Sequence, residues 1–312
     1  LQLLGIPEQL SDMSFSVRCL RTGLEYQGSS LGGLFAQRRN LWHPAFYRML
    51  FDIHRFNREA LELVAREEGT ISLGDFLDRH RFSAPFTDYY LIPMGASIWS
   101  ARPRDFREFP ARFLLNFFNN HGLLTVRDHP PWKTVAGGAK NYVQALMRPL
   151  ADRIRLNCPV ASVRRHQGHV RVATASNPGE EFDAVVMAAH ADQTLAMLAD
   201  ATADERAVLS AFRYQENEVT VHTDASLLPQ RQRAWASWNC RIPHETDRPV
   251  VLTYNLNRLQ KHESPEPICV TLNDTQAIDP ARILRHIVYQ HPVYSIAAWD
   301  AQKKYDAING KQ

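Results

Sequence analysis

Two adjacent glycines, Gly137 and Gly138, separate the short run Trp132-Lys133-Thr134-Val135-Ala136 from a stretch in which Tyr142, Val143, Leu146 and Leu150 recur at helical spacing. Glycine has no Cβ and tolerates positive φ, so backbone at this point can pass close to a bulky ligand just before a helix starts. Pro149 stands near the end of that helix, and residues 152–156 read as a short alternating strand. Residues 160–164 and 169–174 also alternate, with Gln167-Gly168 between them as the turn of a hairpin. Asp183 then opens Ala184-Val185-Val186-Met187-Ala188-Ala189, a run with no polar face, as expected of a strand covered on both sides and ending at His190. Small residues at its exit leave room for a ligand. Residues 132–190 therefore have the order of a cofactor half-site, although a helix, a hairpin and a buried strand also occur where nothing binds.

Other chemistry is written more thinly. Gly28-Ser29-Ser30-Leu31-Gly32 satisfies G-x-S-x-G, which would make Ser30 a hydrolase nucleophile on a strand-to-helix elbow. The preceding Leu24-Glu25-Tyr26-Gln27 carries polar residues at alternate positions, whereas an elbow strand is central and apolar on both faces. The other reading is a glycine-serine turn leading into a helix. Thirteen histidines never form H-E-x-x-H, and His166 and His169 stand on the hairpin without an acidic or cysteine partner nearby, so no metal site is expected. His121, His190 and His222 remain, either as satisfied structural histidines or as groups near a site. Cys19, Cys158, Cys240 and Cys269 are scattered with no C-x-x-C pair, which fits a reducing cytoplasm better than a disulfide framework.

The elements that would position these groups are legible in outline. Residues 14–19 and 24–27 pattern as a hairpin turned at Arg21-Thr22-Gly23. Residues 42–67 read as a helix with Phe46, Leu50, Ile53, Phe56, Leu61 and Val64 on its inner face, and Ser72 caps the next. Phe86, Tyr89, Tyr90, Trp99, Phe106, Phe109, Phe113, Phe117 and Phe118 either line an apolar substrate cavity or form core. Thr202 and Glu205 make a capping box, residues 218–223, 233–240, 250–255 and 268–272 alternate as an antiparallel sheet, and residues 280–289 read as a closing helix. At 312 residues with a formal net charge of +3, the chain can bury a sizeable core and has no strong pull toward nucleic acid. No apolar run reaches the length of a membrane span.

Residues 132–190 resemble the middle of the flavin-containing amine oxidase superfamily, which includes phytoene-desaturase-like and protoporphyrinogen-oxidase-like enzymes. Ser11-Asp12-Met13-Ser14-Phe15-Ser16-Val17, Leu34-Phe35-Ala36-Gln37-Arg38-Arg39-Asn40, Pro93-Met94-Gly95-Ala96-Ser97-Ile98-Trp99-Ser100, Asn119-Asn120-His121-Gly122-Leu123-Leu124 and Ala234-Trp235-Ala236-Ser237-Trp238-Asn239 are similar to phrases of a bacterial subgroup described as predicted NAD/FAD-binding proteins. The resemblance implies FAD as cofactor. It places Trp132, Gly137, Gly138, Val160, Ala188, Ala189 and His190 at or near the flavin. The G-x-G-x-x-G that sets a pyrophosphate on a helix N-terminus is absent, and the resemblance then implies an internal fragment lacking both outer flavin motifs.

The resulting expectation is a mixed α/β (α+β) protein, an FAD/NAD(P)-binding-type domain interleaved with a substrate domain of antiparallel sheet plus helices. Residues 1–130 and 201–312 would supply the substrate side, and 131–200 the inner part of the FAD-binding domain. The expected activity is an FAD-dependent oxidoreductase taking a hydride from a C-H or N-H bond of a small apolar substrate, lipid-like or amine, with His222 and Trp99 as catalytic candidates. Many members of the superfamily have a lysine near the flavin, but the comparable strand Asn217-Glu218-Val219-Thr220-Val221-His222 has none, which turns the expectation toward a fatty acyl or isoprenoid chain. A serine hydrolase using Ser30, or a non-catalytic binding fragment, is the alternative.

Overall fold

The computed structural model describes residues 2–65, 71–125, 131–245 and 248–310. The chain forms two compact units, one made of Leu1–Leu146 and Glu216–His291, the other of Met147–Gln215 and Pro292–Gln312. The strands, in chain order, are β1 (Glu8–Leu10), β2 (Phe15–Cys19), β3 (Glu25–Gln27), β4 (Lys133–Val135), β5 (Val160–His166), β6 (His169–Thr174), β7 (Glu180–Phe182), β8 (Arg213–His222), β9 (Trp238–Ile242), β10 (Val251–Asn255), β11 (Cys269–Leu272) and β12 (Ile283–Val293). With the helices around them this is the expected mixed α/β class.

The first unit is organised by a seven-stranded sheet of order β12-β8-β11-β10-β9-β2-β3, in which β2 and β9 run parallel. Strand alternation gives the sheet two unlike faces. Val17, Cys240, Leu252, Leu272 and Val219 are paired in register across five strands and form the apolar one. The helix Ile92–Trp99 packs on it through Ala96, beside Phe15, Trp238 and Tyr254. One residue out of phase, Ser16, Asn239, Thr253, Thr271 and Thr220 form an equally continuous row on the opposite face, each no more than 2% exposed. Their hydroxyls and amides bond to one another, Ser16 Oγ to Asn239 Oδ1 at 2.8 Å and Thr253 Oγ1 with Thr271 Oγ1 at 2.8 Å. A pair of short strands, β1 with β4, lies apart from this sheet.

Helices of this unit follow the expected pattern with one rotation. Pro44–Ala65 forms, but it buries Phe46, Met49, Asp52, Phe56 and Ala60, while Leu61 of the expected inner face is exposed. Asp52 is admitted because it accepts the Ser83 amide at 3.0 Å and pairs with Arg55 at 3.1 Å. Residues 66 and 67 of the expected helix lie outside the described residues. Ser72 caps Leu73–Arg79 by accepting the Asp75 amide, as its position predicts.

The second unit has a three-stranded antiparallel sheet, β5-β6-β7, whose first turn places Gly168 at φ 82°. The hairpin is as expected, and so is the helix Ala203–Leu209 behind its Thr202-Glu205 capping box. Arg165 ties them together, donating to Asp200 at 3.2 Å and Glu205 at 2.8 Å.

Three expectations are overturned. Residues 152–156 are not a strand, because the chain after Met147 tightens into the 3-10 segment Arg148–Arg153. Residues 184–189 form no strand, and their apolar side chains are mostly exposed, Val186 by 90%. A strand needs a neighbour to bond, and no described strand lies alongside this run. Residues 280–289 are not a helix. Asp279 caps a 3-10 turn at Pro280–Arg282, and the chain leaves it as β12, the sheet's edge strand, with Gln290 donating to Glu216 at 2.9 Å. Ile283 and Ile287 are four residues apart, which mimics a helical face, but docking on β8 decides the outcome.

One consequence of the close helix packing is testable. A Cβ on Gly95 would lie 2.0 Å from the Phe106 ring, which is itself fully buried. Alanine in a helix interior normally gains about 1 kcal/mol over glycine. Here Gly95→Ala should instead destabilise by about 1–3 kcal/mol in urea unfolding, and a variant more stable than the parent would contradict this packing.

Candidate functional site

In the first unit the expected half-site begins as the residues suggest. β4 ends at Val135, and Gly137 and Gly138 follow with φ of 73° and 88°, in the left-handed region that suits glycine. The Gly138 amide donates to Val135 at 3.0 Å, Asn141 donates to Ala136 at 2.7 Å, and the helix Lys140–Met147 starts at once. The two glycines differ in their surroundings. A Cβ on Gly137 would lie 2.6 Å from Asn141 Nδ2, while one on Gly138 would meet nothing within 4 Å. Both are thus required by the backbone of the turn, Gly137 also by its approach to Asn141, and Gly138 presents bare backbone to open space.

Trp132 and Trp99 belong to one aromatic series in this unit. Trp132 stacks on His121 at 6.0 Å, His121 on Phe117 at 3.9 Å, and Phe117 meets Trp99 edge-on at 4.9 Å. Trp99 also stacks on Phe106 at 5.9 Å. The aromatic helices thus pack ring on ring, and Phe86, Phe106, Phe109 and Phe118 are fully buried as core. An apolar cavity of this unit, about 350 Å³, is walled instead by Leu24, Phe46, Met49, Pro85 and Tyr89, with Arg39, His43 and Asp88 among its polar residues. Only Tyr89 of the aromatic residues expected there lines it.

His222 lies at the end of β8 on the polar face, with no exposed surface. Its Nδ1 accepts the Asp224 amide at 3.1 Å, which leaves the proton on Nε2 to donate to Thr271 Oγ1 at 2.7 Å. Burial pulls its pKa from 6.5 to about 4, against a smaller opposing pull from the Asp224 carboxylate. Both ring nitrogens therefore serve the sheet. Ser30 likewise serves a helix: its Oγ accepts the Gly33 amide at 3.0 Å and caps Leu31–Leu34. The strand before it, β3, is three residues long, lies at the sheet edge and runs antiparallel to β2, unlike the central strand a nucleophile elbow needs.

In the second unit, Ala189 and the unpaired run before it wall a cavity of about 640 Å³, together with Val163, Val170, Leu209 and Tyr214. Ala188 is exposed beside it, and Val160, at the start of β5, is exposed and not part of that wall. His190 caps Ala191–Met197 and stacks on Tyr214 at 4.5 Å and 10°. Its Nδ1 is buried without a hydrogen-bond partner. Tyr214 was not anticipated from sequence, although Phe212 and Tyr214 alternate at the entry to β8, and its hydroxyl accepts the Ala191 amide at 2.9 Å. Among the described residues no cluster of three or more His, Cys, Asp or Glu could hold a metal ion. No helix among them is long and apolar enough to cross a membrane.

Residues 2–235 match the family described as flavin containing amine oxidoreductase. No curated protein matches the sequence. Among solved structures, putrescine oxidase bound to putrescine is 12% identical over 99% of this chain and 76% of its own, with a TM-score of 0.61. Cyclohexylamine oxidase from Brevibacterium oxydans is 11% identical over 96% and 74%, with a TM-score of 0.61. A CLA-producing fatty acid isomerase from P. acnes is 14% identical over 100% and 75%, with a TM-score of 0.59. At these identities the likeness is one of fold.

The buried His222 makes a pH prediction. Its folded pKa lies below the unfolded value, so its contribution to stability is intact above pH 6.5 and is lost as pH falls from there toward about 4, where only the unfolded chain takes up the proton. His222→Gln, which does not titrate, should flatten that part of the stability profile in urea unfolding across this range. A profile identical to the parent's would rule the assignment out.

Proposed function

Because the chain belongs to the flavin containing amine oxidoreductase family, we propose that it is an FAD-dependent oxidoreductase that removes a hydride from a C-H or N-H bond of a small apolar molecule. The observation that carries this reading is the family match across residues 2–235, which takes in the paired positive-φ glycines at a helix start. FAD, when bound, supplies the hydride acceptor.

The residues present fit such a group on two counts. Gly138 offers backbone with no side chain and open space before it, as a flat ring needs for close approach. The buried, unpartnered Nδ1 of His190 is a polar atom that a bound group would satisfy. We assign Trp132, Gly137, Gly138, Val160, Ala188, Ala189 and His190 to cofactor contact, and residues 131–200 to the cofactor side of the protein. Ala188 and Ala189 contribute by being small. The antiparallel sheet and its helices form the substrate side, where the apolar cavity of about 350 Å³ holds the substrate. β8 presents Val219, Thr220, Val221 and His222 and no lysine, which favours a hydrocarbon chain over an amine. Neither His222 nor Trp99 is given a proton to move, since both are committed to the interior packing described above.

Titration of the purified protein with FAD, followed by quenching of flavin fluorescence, tests the cofactor assignment. Gly138→Asn, whose side chain fills the space while tolerating positive φ, should weaken binding by at least tenfold while circular dichroism is unchanged, and equal affinity would remove Gly138 from the site. Anaerobic mixing of the flavin-loaded protein with fatty acids, isoprenoids and amines then tests the substrate class. Bleaching by a lipid is expected, and bleaching by amines alone would overturn the hydrocarbon assignment.

A further inference from the structure

From Gly28 to Phe51 the sequence holds no aspartate or glutamate, while Arg38, Arg39 and Arg48 fall within it. The same stretch holds the most prominent aromatic exposure of the first unit. Trp42 is 87% exposed, Phe51 60%, Tyr47 46% and Leu41 43%. These side chains belong together. Arg38–Trp42 is a 3-10 segment leading into Pro44–Ala65, Tyr47 and Phe51 are one turn apart on that helix, and the Tyr47 hydroxyl donates to the Leu41 carbonyl at 3.0 Å. The Arg48 guanidinium lies 5.9 Å from the Phe51 ring centre. The first carboxylate along the helix, Asp52, is buried and paired with Arg48 and Arg55, so it adds no negative surface. An exposed carboxylate, that of Asp88, shares the wall of the 350 Å³ cavity with Arg39 and His43 and faces Arg21.

A soluble surface scatters its apolar residues singly among charges of both signs. A tryptophan, a tyrosine, a phenylalanine and a leucine grouped with arginines, in a stretch that itself holds no aspartate or glutamate, have the composition of a membrane-interface anchor. Aromatic rings seat at headgroup level, and arginine stems lie along the apolar surface with their heads toward lipid phosphate. We propose that this face, Arg38 to Phe51, docks the protein peripherally on an anionic lipid bilayer. The charge pattern selects the occupant: an unrelated acidic protein would meet the arginines but leave Trp42 and Phe51 in water, and a second copy would set arginine against arginine. The apolar cavity opens beside the patch, since Arg39, His43, Ala45, Phe46 and Met49 wall it.

Cosedimentation of the protein with vesicles tests this. Vesicles of phosphatidylcholine with about one third phosphatidylserine should bind it, vesicles of phosphatidylcholine alone should bind at least tenfold more weakly, and salt should reduce the difference. Trp42→Ala with Phe51→Ala should lower affinity at least tenfold, and Arg38→Gln about fivefold, a loss of about 1 kcal/mol. Leu284→Ser, on the exposed edge strand β12, should leave binding unchanged. The proposal is overturned by absence of binding to either vesicle, by binding that the Trp42 and Phe51 changes do not alter, or by a dimer in solution that those changes dissolve without any vesicle binding.

Discussion

One face of the seven-stranded sheet is built from hydroxyl, amide, imidazole and charged side chains and is nevertheless shut away from water. A buried polar group left unbonded costs about 1–3 kcal/mol, so the surrounding chain must satisfy most of them, although Arg241 Nε stays without a hydrogen-bond partner. This explains what lies on that face. A helix has almost no main-chain groups to spare along its length, whereas irregular chain has many. Residues 224–237 and 273–282 supply them. Arg18 donates to the carbonyls of Ser226 and Leu228, Glu25 accepts the amides of Gln230 and Arg231, and Asp224 accepts those of Ser226 and Asp279. Arg241 meets Asp274 in a close ion pair. The helices are left to the other face, where Val17, Cys240 and Leu252 ask only for apolar contact.

The same arrangement fixes register. A slip of one residue in β9 or β10 would carry Asn239 or Thr253 against the Ile92–Trp99 helix and place Cys240 or Leu252 among the hydroxyls. Two unlike buried faces thus specify one pairing. They also account for the neutral His222, whose imidazole is held in the interior by the hydroxyl of Thr271 and the amide of Asp224. The polar row is best understood as architecture.

Much of this was legible in the sequence where the signal is local. The turn at Gly23, the serine cap at Ser72, the Thr202-Glu205 box and the hairpin about Gly168 depend on residues within a few positions of each other. What was not legible depends on distant partners. The pattern of β12 looks helical until β8 is beside it, and residues 184–189 look like a buried strand although no described strand pairs with them. The aromatic run from Phe86 to Phe118 carried two readings, core and cavity, and only packing distances between the rings separate them. At the candidate site, Gly137 and Gly138 were readable because positive φ has a residue signature. Tyr214 was not, because its importance lies in the stack it makes with His190.

The family match gives the flavin, and the residues that would hold it are our proposal. Hydrogen–deuterium exchange of the protein with and without FAD tests that claim most directly. Bound FAD should slow exchange in the turn and first helical residues at 136–143 and in residues 187–193, while the interior strands β9, β10 and β11 stay as they are. Protection that misses both segments, or no change on adding FAD, would contradict the assignment.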